Sequence, residues 1–240
     1  MKKLMKAALL SVFTFGCFSL NAGEINKTSR SNLFAPIKTN GSKDITEGGF
    51  FFHIGGFLPG KGYMIPKGFT REDINDIYDN PNISRYKLGV DFELGNMFRL
   101  ADLDGMAIGL RTTWFGANLA TRRYNDTIAT RTISATGLRV GPYFSFELAD
   151  KMALDVFYQI GPRYAFSLTD DWSNWNMDVM GFTQEIGVGF RLDMLSFILG
   201  YNFGSLTDYS SSAEMRKDPD LKDFTKMRAG GLRFAVGIKI

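Results

Sequence analysis

From Gly49 onward the chain repeats one pattern eight times: every second side chain is large and apolar, and those between are charged, polar or glycine. Between Tyr86 and Leu94 the pattern is unbroken. Tyr86, Leu88, Val90, Phe92 and Leu94 alternate there with Lys87, Gly89, Asp91 and Glu93. Successive side chains of a β-strand point to opposite faces, so each run predicts a strand with one apolar and one polar face. The runs are 49–58, 84–100, 105–119, 132–148, 152–168, 179–192, 194–204 and 231–240. Tight connections at 101–104, 149–151 and 193 alternate with long polar ones at 59–83, 120–131, 169–178 and 205–230. Short turns at one end and long loops at the other are the layout of a transmembrane eight-stranded antiparallel up-and-down β-barrel, an all-β fold whose long loops face outside the cell.

Alternation alone does not say which face points out; a soluble lipocalin-type barrel would place the apolar face inside. The bore of eight strands has room only for side chains or one small ligand. The Phe, Leu, Tyr, Ile and Trp of the apolar face are too bulky for it, whereas the glycine-rich polar face fits. A closed ring also leaves no strand edge unpaired in lipid. The polar face then carries Asp91, Glu93, Arg99, Arg111, Arg139, Glu147, Asp155, Arg163, Glu185, Arg191, Arg233 and Lys239 into the interior. Buried charges need partners, so these twelve are expected to form an ion-pair network that plugs the bore. Pro142 and Pro162 cannot donate to the ladder and are expected at bulges or bends.

Lys2, Lys3 and Lys6, an apolar stretch over 7–20 and Asn21-Ala22-Gly23 form a secretory signal, with cleavage expected after Ala22. Residues 23–48 read as a flexible periplasmic segment, and 49–240 as the barrel. The only cysteine, Cys17, lies in the signal; Gly16-Cys17 is a poor lipoprotein match, so Cys17 is expected to leave with it. The mature chain then has no disulfide and no thiolate metal site. The formal charge of +3 comes from the three signal lysines, which leaves 25 basic residues against 25 acidic ones. Nothing in that balance points to nucleic acid.

The chain ends Leu232-Arg233-Phe234-Ala235-Val236-Gly237-Ile238-Lys239-Ile240, an amphipathic last strand. With the signal and the strand pattern, it resembles the outer-membrane β-barrel superfamily of small porin-like proteins, OmpA/OmpX-type barrels among them. The resemblance covers about 49–240. It implies residence in a bacterial outer membrane, contact with outer-membrane lipid and insertion by the barrel-assembly machinery. That family more often ends in Phe than in Ile. No residue-specific motif supports the resemblance, so it implies no active site.

Candidate chemistry is sparse. The single histidine, His53, has inward parity with Phe51 and Gly55; no serine lies within two residues, but a neighbouring strand could bring Ser145, Ser196 or Glu185 to it. Asp73, Asp76 and Asp79 recur every third residue in the first long loop, the spacing of a short solvated helix rather than an EF-hand. Trp172 and Trp175 in the third loop read as interfacial aromatics or as contacts for an extracellular protein or glycan. The fourth loop reads as a mobile, solvated excursion. No cofactor or metal is expected. The leading expectation is a non-enzymatic structural or surface-interaction protein displaying its loops; the alternatives are a narrow channel for small solutes and, third, a lipid-modifying enzyme.

Overall fold

The computed structural model describes residues 47–240 other than 104, 125–127 and 169–174. The signal and most of the N-terminal segment lie outside the described residues. The eight runs become the strands of a ring: β1 (Gly49–Pro59), β2 (Gly89–Leu103), β3 (Met106–Tyr124), β4 (Ile128–Ala149), β5 (Met152–Leu168), β6 (Trp175–Leu192), β7 (Leu195–Asp208) and β9 (Gly231–Lys239). Each pairs antiparallel with its neighbour in chain order, and β9 closes the ring between β7 and β1. A ninth, short strand, β8 (Lys226–Arg228), pairs with β7 beyond the start of β9. At the short turns Gly105, Lys151 and Asp193 take positive φ of 72°, 62° and 54°, the left-handed backbone that tight hairpins require.

The apolar face points out. Phe52, Ile54, Val90, Phe144, Phe182, Ile186, Phe197 and Phe234 are among the large apolar side chains exposed around the ring. Inside, aromatic rings lie across glycines of the next strand. Phe51 stands opposite Gly95, Tyr143 opposite Gly109 and Phe157 opposite Gly187, and a Cβ at any of these glycines would run into the ring. Glycine is thus how an eight-strand bore accommodates aromatics at all. Gly187→Val is expected to lower the unfolding free energy by ~1–3 kcal/mol through overpacking, read from urea unfolding in micelles. Adding Phe157→Ala should return part of the loss.

The structure departs from the pattern at four places. Tyr86, in phase with Leu88, was expected on the outer face; the chain leaves the ladder below Gly89, and Tyr86 turns into the barrel mouth, 6% exposed. The second long loop is mostly strand: β3 and β4 stay paired up to Tyr124 opposite Ile128. The fourth loop is built rather than mobile, with helix α2 (Ala213–Lys217), a 3-10 turn (Lys222–Thr225) and β8. The bulges also differ. The β4–β5 register shifts between Thr136 and Val140, beside Pro162, and the same ladder skips Gly141 and Pro142 without a change of register, whereas the β3–β4 ladder runs unbroken through Leu110 opposite Pro142. A further shift, between Leu94 and Gly95, faces Trp114 of β3; Trp114 there donates its indole N–H to Asn96 Oδ1 at 2.7 Å.

In the first long loop the three aspartates lie on helix α1 (Arg71–Asp79). Thr70 caps it: the Asp73 N–H donates to Thr70 Oγ1 (3.2 Å), and Asp73 Oδ2 accepts from the Thr70 N–H (2.7 Å) and hydroxyl (2.8 Å), a reciprocal capping box. Those bonds to the charged form hold the Asp73 carboxyl below the usual carboxylate range, the backbone bond contributing most.

Candidate functional site

Two features occupy the ring: a cap at the long-loop end and a charged plug beneath it. In the cap, the first loop adds a backbone pairing to β8. Met64 N–H donates to Arg228 O (2.8 Å), Arg228 N–H to Ile65 O (3.0 Å) and Lys67 N–H to Lys226 O (2.8 Å). The Arg228 guanidinium then donates to the carbonyls of Pro66 (2.8 Å), Lys67 (3.0 Å) and Phe69 (2.8 Å). Three charge-assisted bonds to carbonyls within four residues fix the path of the loop. Apolar residues of the first loop, β7 and β8 fill the mouth: Tyr63, Met64, Tyr86, Leu206 and Met227 pack with Phe57 and Val179. Tyr63 lies edge-on to both Phe57 (5.4 Å) and Tyr86 (5.1 Å).

Below the cap, three carboxylates meet three guanidiniums. Glu93 Oε2 is 2.9 Å from Arg111 Nη2 and 2.6 Å from Arg233 Nη2, and its Oε1 is 3.3 Å from Arg139 Nη2. Glu185 pairs with Arg233 (3.1 Å) and Arg139, and Asp91 with Arg233 Nε. Arg111 lies between the rings of Phe51 and Phe157, 4.0 and 4.4 Å from their centroids, a cation–π arrangement. Gln159 accepts from Arg111 Nε (3.2 Å) and donates to Arg111 O (3.1 Å), tying β3 to β5 across the bore. A separate pair joins Arg191 Nε to Asp155 Oδ2 at 2.6 Å, and Arg191 also donates to Ser145 Oγ at 2.5 Å.

The structure thus brings together eight of the twelve expected charges in two groups. Arg163 is buried, and no carboxylate among the described residues pairs with it. Arg99, Glu147 and Lys239 share the inward parity yet lie toward the short-turn end, where water reaches them. Arg99 pairs with exposed Asp102 at 3.2 Å, Glu147 is exposed, and Lys239 donates to the Glu47 carbonyl. Parity gives a residue's face; depth along the strand decides its burial. Trp172 lies outside the described residues, and Trp175 opens β6 opposite Leu168.

His53 sits in the wall of the plug. Of the three candidate neighbours the fold brings Ser196, whose Oγ is 3.0 Å from His53 Nε2; Ser145 is bonded to Arg191, and Glu185 to Arg139 and Arg233. On the other side of the ring, Glu93 Oε2 is 3.6 Å from Nδ1, too long for a hydrogen bond. The order serine–histidine–carboxylate resembles that of a hydrolase. But the carboxylate is held by three arginines, and all three groups are 3% exposed or less. The contact ties β1 to β7 and is positioned to support the plug.

No protein-family model matches the chain, and no curated protein does. Solved structures do. The chain is similar to Ail, the attachment invasion locus protein of Yersinia pestis, at 10% identity and a TM-score of 0.42, over 81% of this chain and 99% of that one. A second Ail structure, in complex with the heparin analogue sucrose octasulfate, gives 12% identity and a TM-score of 0.43 over the same shares. The outer membrane protein OprG from Pseudomonas aeruginosa matches at 10% identity and a TM-score of 0.36, over 81% and 97%.

Proposed function

We propose that this chain is an outer-membrane barrel with a non-enzymatic role, a rigid platform that presents its long-loop end to an extracellular protein or glycan. What supports membrane residence is the girdle of exposed apolar side chains around a polar interior. What supports display is where the chain invests its order. The bore holds a plug of mostly paired charges, while loops that a mere plug would leave short are instead built into a helix-bearing cap clamped by Arg228. An ordered loop surface costs less entropy on binding than a mobile one.

Arg228→Ala separates the cap from the barrel. Bonds to a charged group contribute ~1.5–3 kcal/mol each, so losing them should raise protease cleavage within 60–83 at least about tenfold, while the boiled-versus-unboiled gel shift stays unchanged. Cells displaying the wild-type protein should be retained on one surface of an immobilised glycan and matrix-protein array, and Arg228→Ala cells should not. Equal retention of the two, or conductance in planar bilayers with no retention, would overturn the display reading; conductance would favour the narrow channel.

A further inference from the structure

Among the buried side chains, four carboxylates (Asp91, Glu93, Asp155, Glu185) face five guanidiniums. Each carboxylate is already paired with Arg111, Arg139, Arg191 or Arg233. Among the described residues Arg163 is the cation left over. It is 2% exposed, and no carboxylate among the described residues pairs with it. Its Nε and Nη2 both donate to Ser134 Oγ, at 3.0 and 2.6 Å. Ser134 in turn gives its proton to Asn118 Oδ1 at 2.6 Å, so it serves Arg163 only as an acceptor. The Phe57 ring lies 5.6 Å away. Nη1 has no hydrogen-bond partner among the described residues. The Tyr63 hydroxyl, brought in by the cap, is buried beside Arg163 and Ser134 without a hydrogen bond of ordinary geometry.

Among the described residues, then, a buried guanidinium without a carboxylate partner and the buried Tyr63 hydroxyl face each other beneath the cap. Hydroxyl dipoles and a ring face do not cancel a full charge, and an isolated buried ion is strongly disfavoured. We infer that the upper bore binds one small monovalent inorganic anion, of the chloride class, beside Arg163 and beneath Tyr63. The anion would complete the charge balance of the interior and couple the closure of the cap to the barrel. The inference stands on the bore alone and does not require the display role.

The test uses the full mature protein refolded in neutral detergent, unfolded by urea in sodium chloride against sodium gluconate at equal ionic strength. An anion bound only by the folded state stabilises it by mass action. Each tenfold rise in chloride above its Kd should therefore lower the unfolding constant about tenfold in the wild type, and leave Arg163→Gln unchanged. Crystals of the wild type soaked in bromide should show an anomalous peak within hydrogen-bond distance of the Arg163 guanidinium. The proposal is overturned if wild type and Arg163→Gln respond alike to chloride, or if bromide is absent from Arg163. Should Arg163→Gln fail to fold, the bromide map on the wild type decides alone.

Discussion

Glu93→Gln will lose ~3–5 kcal/mol of unfolding free energy, the largest single-site effect expected in this barrel. Glu93 alone touches Arg111, Arg139 and Arg233, and also accepts from the Thr113 hydroxyl. Glutamine keeps the volume and removes the charge, leaving three guanidiniums against Asp91 and Glu185. Removing one member of a buried ion pair costs this much because the partner stays buried without compensation, not because the pair itself contributes that energy. The measurement is urea unfolding in micelles. A second variant separates the two explanations: Glu93→Gln with Arg111→Met restores the local balance and should recover a substantial part of the loss. A loss below ~0.5 kcal/mol for Glu93→Gln would mean that water fills the bore and screens these charges.

Ile186→Arg is the second large effect and depends on the medium. Ile186 is 52% exposed at the middle of the β6 apolar run. Facing water, such a substitution is usually worth no more than ~0.5 kcal/mol either way. Facing the hydrocarbon midplane, arginine costs ~2–4 kcal/mol, falling to ~0–1 near the interface. Folding into lipid vesicles should therefore be strongly weakened by Ile186→Arg and little affected by Leu192→Arg at the short-turn rim. Equal, small effects at both positions would put the apolar face somewhere other than in a bilayer.

The barrel was legible in the sequence because a period of two is a local signal that every strand repeats. Features depending on distant pairing were not. Nothing near Pro66 indicates that it meets Met227, and nothing in the composition of 205–230, rich in Ser, Asp and Lys, shows that Arg228 clamps the opposite loop. Tyr86 reads as lipid-facing because it is in phase with Leu88; only the cap, with Tyr63 and Thr132 as partners, turns it inward. The plug was half legible. Parity assigns Asp91, Glu93, Arg111 and Arg139 to the bore, but the stagger of the strands determines that Glu93 and Glu185 share Arg139 and Arg233, and that Arg163 has no carboxylate among the described residues. The His53–Ser196 contact spans 143 residues of sequence and follows from both residues lying opposite Gly237.

The most direct test of the account is a spin-label scan of β6 in lipid vesicles, in a chain free of Cys17. Single cysteines at Phe182, Ile186 and Val188, which face out, are compared with one at Thr183, which faces in. Collision with dissolved oxygen reports contact with hydrocarbon, and collision with a water-soluble nickel chelate reports contact with water. The account predicts high oxygen and low nickel access at the three outward positions, greatest at Ile186, with Thr183 shielded from both. Nickel access at Ile186 equal to that of a loop position would contradict it, and would mean that the exposed apolar face is not in a membrane.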